Sequence, residues 1–356
     1  MYEPNRPLEI QDLHQESPRQ GEVRISMEAA GICASDHHAT TGRMKMPLPV
    51  VLGHEGSGTV VEVGPGVSRV KLGDRCILSF MSLCGYCRQC RSGTGLCETH
   101  ALTRNMLFDG TVRLHREDIE IQQMGKIGVF AESVVVPQEA CYPFKDELSP
   151  QAAALIGCCV TTGAGAVINS SVASAGMTVA VFGCGGVGLS VIQGARLMNA
   201  SRIIAVDVYS HKLEFSYKFG ATDVVNSRET DPVEAIVELT GGGVDMAFDS
   251  FGGSITTAAA FNSVRKGGTA VVIGLSNPGE SPPIDLYQMA VSQKSLVGSF
   301  YGSANPHETF SKLARFCSRD VLDVDSLITR TYSLDEVNDG LEALERGEDG
   351  RGVILF

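Results

Sequence analysis

Cys84, Cys87, Cys90 and Cys97 fall within fourteen residues, a spacing that can close a tetrahedral all-thiolate zinc site with no open coordination position. Cys33, His54 in Gly53-His54-Glu55, and Cys158 come from separate segments. Two thiolates and one imidazole could hold a second zinc and leave its fourth position open for chemistry. A Gly183-Cys184-Gly185-Gly186-Val187-Gly188 turn follows a short apolar run at 177–182. Zinc combined with a dinucleotide implies hydride transfer.

Around Cys33, the run Gly31-Ile32-Cys33-Ala34-Ser35-Asp36-His37-His38 crowds a thiol, a hydroxyl and two imidazoles together. Bound zinc lowers the pKa of water from about 16 to about 7, worth roughly 12 kcal/mol at 1.36 kcal/mol per unit. A positioned acid–base group contributes about 3 to 5 kcal/mol. Metal activation therefore dominates, with Ser35 and His38 left to move the proton. A single cysteine or histidine is usually structural, so the weight rests on the joint occurrence of the three ligands with the glycine turn.

These groups need a scaffold. Between residues 23 and 70 the sequence reads as short alternating strands broken by Gly, Pro and Asp, a barrel-like grammar. Residues 98–128 show little periodicity and are expected to form a surface excursion over the site or at a subunit contact. Strand pattern returns at 131–137. Beyond residue 149, apolar runs at 177–182, 203–206, 244–248 and 269–273 alternate with helical segments, as a parallel sheet covered on both faces requires. The tail, Arg351-Gly352-Val353-Ile354-Leu355-Phe356, reads as a last strand rejoining the first domain.

The strand–turn–helix context supports the glycine fingerprint. Gly183, Gly185 and Gly188 occupy its positions, Gly186 and Val187 open the helix, and pyrophosphate would face the helix N-terminus. Asp207 ends the next strand nineteen residues after Gly188, where a carboxylate binds the adenosine ribose and disfavours a 2'-phosphate, so NAD is expected over NADP. Its plainer reading is a helix cap. Lys212 could also reach the ribose, or be a solvated helix lysine.

The chain has 356 residues, a formal net charge of -12, 43% hydrophobic residues and 40 glycines. That length suits two domains, and the acidity opposes a nucleic-acid surface, which would make the cysteine cluster a zinc-ribbon reader. No apolar stretch is expected to span a bilayer and no signal pattern is expected, so the protein reads as cytoplasmic. Of eleven cysteines, Cys76, Cys141, Cys159, Cys184 and Cys317 have no metal assignment and read as small buried hydrophobes.

Taken together, the Cys33–His38 run, Gly53-His54-Glu55, the cysteine lobe, Leu155-Ile156-Gly157-Cys158, the glycine turn with Asp207, and Arg351 resemble the zinc-dependent medium-chain alcohol dehydrogenases. The 99–114 segment resembles the nicotinoprotein-type actinobacterial group. The resemblance implies a GroES-like β-rich catalytic domain over 1–159 and 301–356, with a structural zinc lobe at about 84–97, and a doubly wound Rossmann domain over 160–300. Cys33, His54 and Cys158 would hold catalytic zinc, with Glu55 as an occasional alternate ligand. Ser35 would take the alcohol proton and pass it through the cofactor ribose to His38. Thr162 would pack near the nicotinamide, and Arg351 would pair with the pyrophosphate. Phe80 and residues 124–130 would line the substrate pocket, where Lys126 could attract an acidic substrate or be a plain loop lysine.

Two positions depart from the family pattern: six residues rather than seven separate Cys90 from Cys97, and Ala34 stands where relatives carry a basic residue. The expected activity is oxidation of a primary or secondary alcohol with NAD in a homodimer. The alternatives are a nicotinoprotein with a tightly held cofactor, and oxidation of an aldehyde–thiol adduct. A noncatalytic descendant would have lost a ligand or the relay, and neither is missing.

Overall fold

The computed structural model describes residues 1–145, 147–348 and 350–356. The chain divides into two compact units, one of Met1–Cys159 with Ala304–Phe356, the other Val160–Ser303. Tyr301–Ser303 thus belongs with the second unit, where the sequence reading had placed it in the first. There the Asn169 side chain donates to the Gly302 carbonyl at 3.0 Å.

In the first unit, the long strand Glu22–Gly31 organises the main sheet. It pairs antiparallel with Gly56–Val63, Ser133–Pro137 and Arg351–Leu355. The C-terminal strand therefore lies against Gly31, two residues before Cys33. Val23, Ile25, Met27 and Ala30 from this strand pack with Val60, Leu78, Val134 and Ile354 in one core, the alternation expected of a sheet with a buried face.

Residues 98–128 are more regular than the sequence suggests. They hold the helix Glu98–Thr103 and the hairpin strands Leu114–Arg116 and Ile119–Gln123, which join His14–Gln15 and Val50–Val51 in a four-stranded sheet. Strands of three and five residues are too short for periodicity to register. Arg113, fully buried, pins the segment by donating to both Glu22 oxygens at 2.8 and 2.5 Å and to Asp109 at 2.6 Å. A buried guanidinium survives only when paired in this way.

The second unit is a six-stranded parallel sheet. Its strands, numbered along this unit, run in the order 3-2-1-4-5-6, with Thr178–Phe182 first and Arg202–Asp207 second, the doubly wound order of dinucleotide-binding folds. Val179, Ala180 and Val181 are completely buried because helices cover both faces.

One helical stretch, Pro150–Ile168, is long and apolar enough to cross a membrane by length and composition, but 83% of its most apolar window is buried inside the protein, so it is a core helix.

Candidate metal centres and dinucleotide turn

Helix Ala34–Thr40 begins at Cys33, whose backbone N–H donates to Asp36 Oδ2 at 3.1 Å. The other Asp36 oxygen receives the Gly53 N–H at 3.1 Å and His54 Nδ1–H at 3.0 Å. One fully buried carboxylate therefore fixes the start of this helix, the Gly53-His54-Glu55 segment and the imidazole tautomer, leaving Nε2 to a metal. Cys158 arrives on a wider π-helical turn, Ile156–Val160, set between helices Pro150–Leu155 and Thr161–Ile168. Such turns recur at functional sites.

Ligand atoms of Cys33, His54, Glu55 and Cys158 all lie within 4.8 Å of one another, every residue buried. The Cys33 thiol is held well below its usual value, by the Cys158 thiol and then, against burial, by His54. Burial disfavours charge on His54, but Asp36 and Cys33 hold its pKa well above the ordinary imidazole range. An anionic sulfur in a closed pocket asks for a cation. Glu55 is pushed up to about 7 by burial, with Arg351 opposing. Its Oε1 has no hydrogen-bond partner, so a carboxylate oxygen faces the cluster unspent. This donor set fits zinc: two sulfurs, one imidazole and a spare oxygen.

Arg351 donates to Glu55 Oε2 at 2.7 Å and to the Ile32 carbonyl at 2.9 Å. It is 4% exposed, and its Nε has no acceptor. The structure thus gives Arg351 a role at the metal cluster that the sequence did not suggest. Asp36 was likewise unassigned, although its place three residues after a helix-capping cysteine was a readable signal.

Ser35 and His38 are half-buried and sit three apart on one helix face. His38 is shifted below the usual imidazole value by burial, then by Arg43 and His37. Arg43 donates toward its Nε2 at 3.3 Å, which works in the same direction. Phe80 stands perpendicular to the His54 ring, centroids 5.4 Å apart. Lys126 does not face a substrate: it is fully buried, and its Nζ donates to the carbonyls of His100 and Arg104 at 3.2 and 2.6 Å.

The four lobe sulfurs of Cys84, Cys87, Cys90 and Cys97 also lie within 4.8 Å of one another, despite the shortened interval. Backbone N–H groups of Cys84, Cys87 and Cys90 donate to Cys97, Cys84 and Cys87 sulfurs at 3.4 Å. Such bonds favour thiolates; Cys87 is lowered to about 6, first by the Cys90 N–H. Cys76, Cys141, Cys159 and Cys184 are buried, but Cys317 is half-exposed and so departs from its expected place in the core.

In the second unit, helix Gly186–Leu197 follows Gly183 directly. A Cβ at Gly188 would sit 1.8 Å from the Gly183 carbonyl oxygen, whereas one at Gly185 would meet nothing within 4 Å. Gly188 is required by the protein's own packing. Gly185 fronts open space, the cradle in which backbone meets pyrophosphate. Asp207 Oδ2 accepts the Cys184 N–H at 2.7 Å, and Oδ1 accepts those of Val208 and Tyr209 at 2.7 and 3.0 Å. The carboxylate thereby ties the second strand to the glycine turn. Lys212 lies with Nζ 5.4 Å from the Tyr209 ring centroid, and Thr162 is half-buried on helix Thr161–Ile168.

Comparison with known proteins fits these two sites. The family model for the alcohol dehydrogenase GroES-like domain matches residues 19–146, and that for zinc-binding dehydrogenases matches 186–319. The NDMA-dependent alcohol dehydrogenase of Amycolatopsis methanolica is 36% identical, with 100% of this chain and 97% of that protein covered. An S-(hydroxymethyl)glutathione dehydrogenase of Escherichia coli is 35% identical, covering 100% and 98%. The crystal structure of benzyl alcohol dehydrogenase from Acinetobacter calcoaceticus superposes with a TM-score of 0.92 at 29% identity, over 98% of this chain and 95% of that one. The chain belongs to the zinc-dependent medium-chain alcohol dehydrogenases, oxidoreductases that act on CH–OH groups.

Proposed function

We propose that this protein reversibly oxidises a primary or secondary alcohol to the aldehyde or ketone, with NAD as hydride acceptor and two zinc ions per chain. The observation that carries the reading is the convergence of Cys33, His54 and Cys158 on one point, with Asp36 behind the imidazole.

Cys33, His54 and Cys158 would hold one zinc, with the Glu55 Oε1 as a spare ligand; Cys84, Cys87, Cys90 and Cys97 would hold the other. Zinc at the first site supplies Lewis acidity that makes a hydroxyl group far more acidic. Ser35 would accept the alcohol proton, and His38, whose pKa burial and Arg43 lower, would take it on toward water. Phe80 bounds the alcohol pocket beside His54. Gly183, Gly185, Gly186, Val187 and Gly188 seat the pyrophosphate, and Thr162 packs near the nicotinamide. Arg351 balances Glu55, and the family resemblance assigns it to the pyrophosphate. Asp207 and Lys212 address the ribose, and the Asp207 charge favours NAD over NADP.

The test measures zinc per chain and NAD reduction over a panel of alcohols, with wild type and Cys158→Ala. Two zincs and activity in the wild type, with one zinc and no turnover in the variant, is the expected result. Equal activity in both removes the metal's role.

The resemblance of the 99–114 segment to the nicotinoprotein-type group favours a second reading, in which the cofactor stays bound through turnover. Nicotinamide that survives desalting, with no reduction of added NAD, would support it. The panel should include S-(hydroxymethyl)glutathione, since the Escherichia coli relative named above acts on that aldehyde–thiol adduct.

A homodimer is supported by Leu286, Tyr287 and Val291, exposed on helix Leu286–Val291, and by Val297 on the adjoining edge strand Ser295–Gly298. Exposed apolar groups beside an unpaired edge suit a second copy. The grouping of six cysteines with His54 and Glu55 into two metal-type clusters, rather than disulfides, suits a reducing, cytoplasmic setting.

A further inference from the structure

Lys126 is the most heavily constrained residue that the reaction scheme leaves unused. Its side chain is fully buried, and its backbone sits in the left-handed region at φ +68°, directly after Gly125 at +58°. A non-glycine residue keeps that conformation only where its surroundings over-determine it. They do so here. The ammonium donates to the His100 and Arg104 carbonyls and lies 5.6 Å from the Phe108 ring centroid.

Those carbonyls close the last turn of helix Glu98–Thr103, whose N-terminal cap is the lobe ligand Cys97. A cation at that end meets the Arg104 carbonyl, adds a second donor to the His100 carbonyl that also takes the Arg104 N–H, and favours the helix dipole. On its other side, Lys126 is bonded to Gly125, whose N–H donates to the Asn105 side chain at 3.1 Å. A Cβ on Gly125 would lie 2.8 Å from the Phe80 Cβ, so Phe80 rests directly against this turn. The Phe80 ring in turn stands perpendicular to His54.

An unbroken series of contacts thus joins Cys97 in one metal centre to His54 in the other. We infer that Lys126 is a positioning residue: it ties the cysteine lobe to the alcohol pocket, holding Phe80 against His54 only while the lobe helix is formed. The inference rests on the proposed zinc chemistry at Cys33, His54 and Cys158.

The test uses holoenzyme with Co2+ placed at the three-ligand site and zinc kept in the lobe, so that cobalt absorption bands report the geometry around His54. Lys126→Met keeps the side-chain length and removes every donor. It should shift those bands and lower kcat/KM by roughly tenfold. Combined with Phe80→Leu, the loss should match the larger single loss, because both act through one path. Multiplying losses, or unchanged bands in Lys126→Met with the lobe zinc retained, overturn the inference. Should Lys126→Met fail to fold, Gly125→Ala serves: its methyl displaces Phe80 without touching the ammonium, and unchanged bands there overturn the inference equally. A wild type that takes up no Co2+ at the three-ligand site overturns the proposed function itself. Normal wild-type bands with indifferent variants overturn only the role of Lys126.

Discussion

Replacing Asp36 with asparagine is the most informative perturbation of the catalytic centre. The carboxylate accepts three donors: Cys33 N–H at one oxygen, Gly53 N–H and His54 Nδ1–H at the other. Asparagine keeps the volume and one oxygen, so its NH2 group must face one set of donors. The less costly orientation surrenders the Cys33 N–H, and a buried N–H left unmet costs about 1–3 kcal/mol of stability. The bond to His54 persists but loses its charge, halving its strength to about 1 kcal/mol. Both effects reach a proposed metal ligand, Cys33 through its backbone and His54 through its ring. Mutation of a partner behind metal ligands weakens metal affinity by about 10- to 100-fold, or roughly 1.4 to 2.7 kcal/mol. Dialysis against graded chelator, with zinc counted per chain, reads it, and the cysteine lobe serves as internal standard. Asp36→Asn should release its first zinc at about 10- to 100-fold weaker chelation than wild type, with kcat/KM falling in step. Zinc held as tightly as in wild type, alongside a lowered Tm, would reduce Asp36 to a helix cap and refute the reasoning.

The two fingerprint glycines should separate fold from ligand. Gly188→Ala, with a methyl 1.8 Å from the Gly183 carbonyl, should cost about 3 kcal/mol and roughly 10 °C in Tm; Gly185→Ala should melt as wild type yet raise the KM for NAD roughly tenfold by filling the cradle. Calorimetry and cofactor titration decide both. His38 must be neutral to accept a proton, and its pKa lies below the ordinary value of 6.5, so the acid limb of kcat/KM for alcohol oxidation should fall below pH 6.5. Arg43→Ala, removing a cation that lowers that pKa, should move the limb to higher pH, and an unmoved limb refutes the assignment. Tyr287→Glu, at a residue 71% exposed, should convert a dimer to monomers on sedimentation, while a tetrameric wild type overturns the dimer.

Chemistry that is local in sequence was legible before any coordinates. Three of the lobe cysteines recur every third residue, and the glycine turn sits between a strand and a helix. Each motif carries its own geometry. What escaped was set by distant pairing. Arg351 and Glu55 are 296 positions apart, and only the return of the last strand to Gly31 brings them together. Lys126 read as an exposed loop lysine because nothing nearby in sequence reveals that His100 and Arg104 turn their carbonyls toward it. The sheet within 98–128 was invisible for a related reason: its strands are stabilised by partners at 14–15 and 50–51, not by their own pattern.

Charge explains why the distant residues belong to the catalytic centre. In the proposed site two thiolates would balance one zinc dication, so a further bare carboxylate would leave the closed pocket with excess negative charge and a strong tendency to protonate. Burial alone drives Glu55 in that direction, and the Arg351 guanidinium opposes it. Asp36, fully buried one layer back, is met by two backbone N–H groups and the His54 ring. The two buried carboxylates thus have separate compensators. One is spent wholly on orienting a ligand, while the other keeps an oxygen, Oε1, free. That asymmetry makes Glu55, and not Asp36, the carboxylate that would be available to a metal in the proposed site.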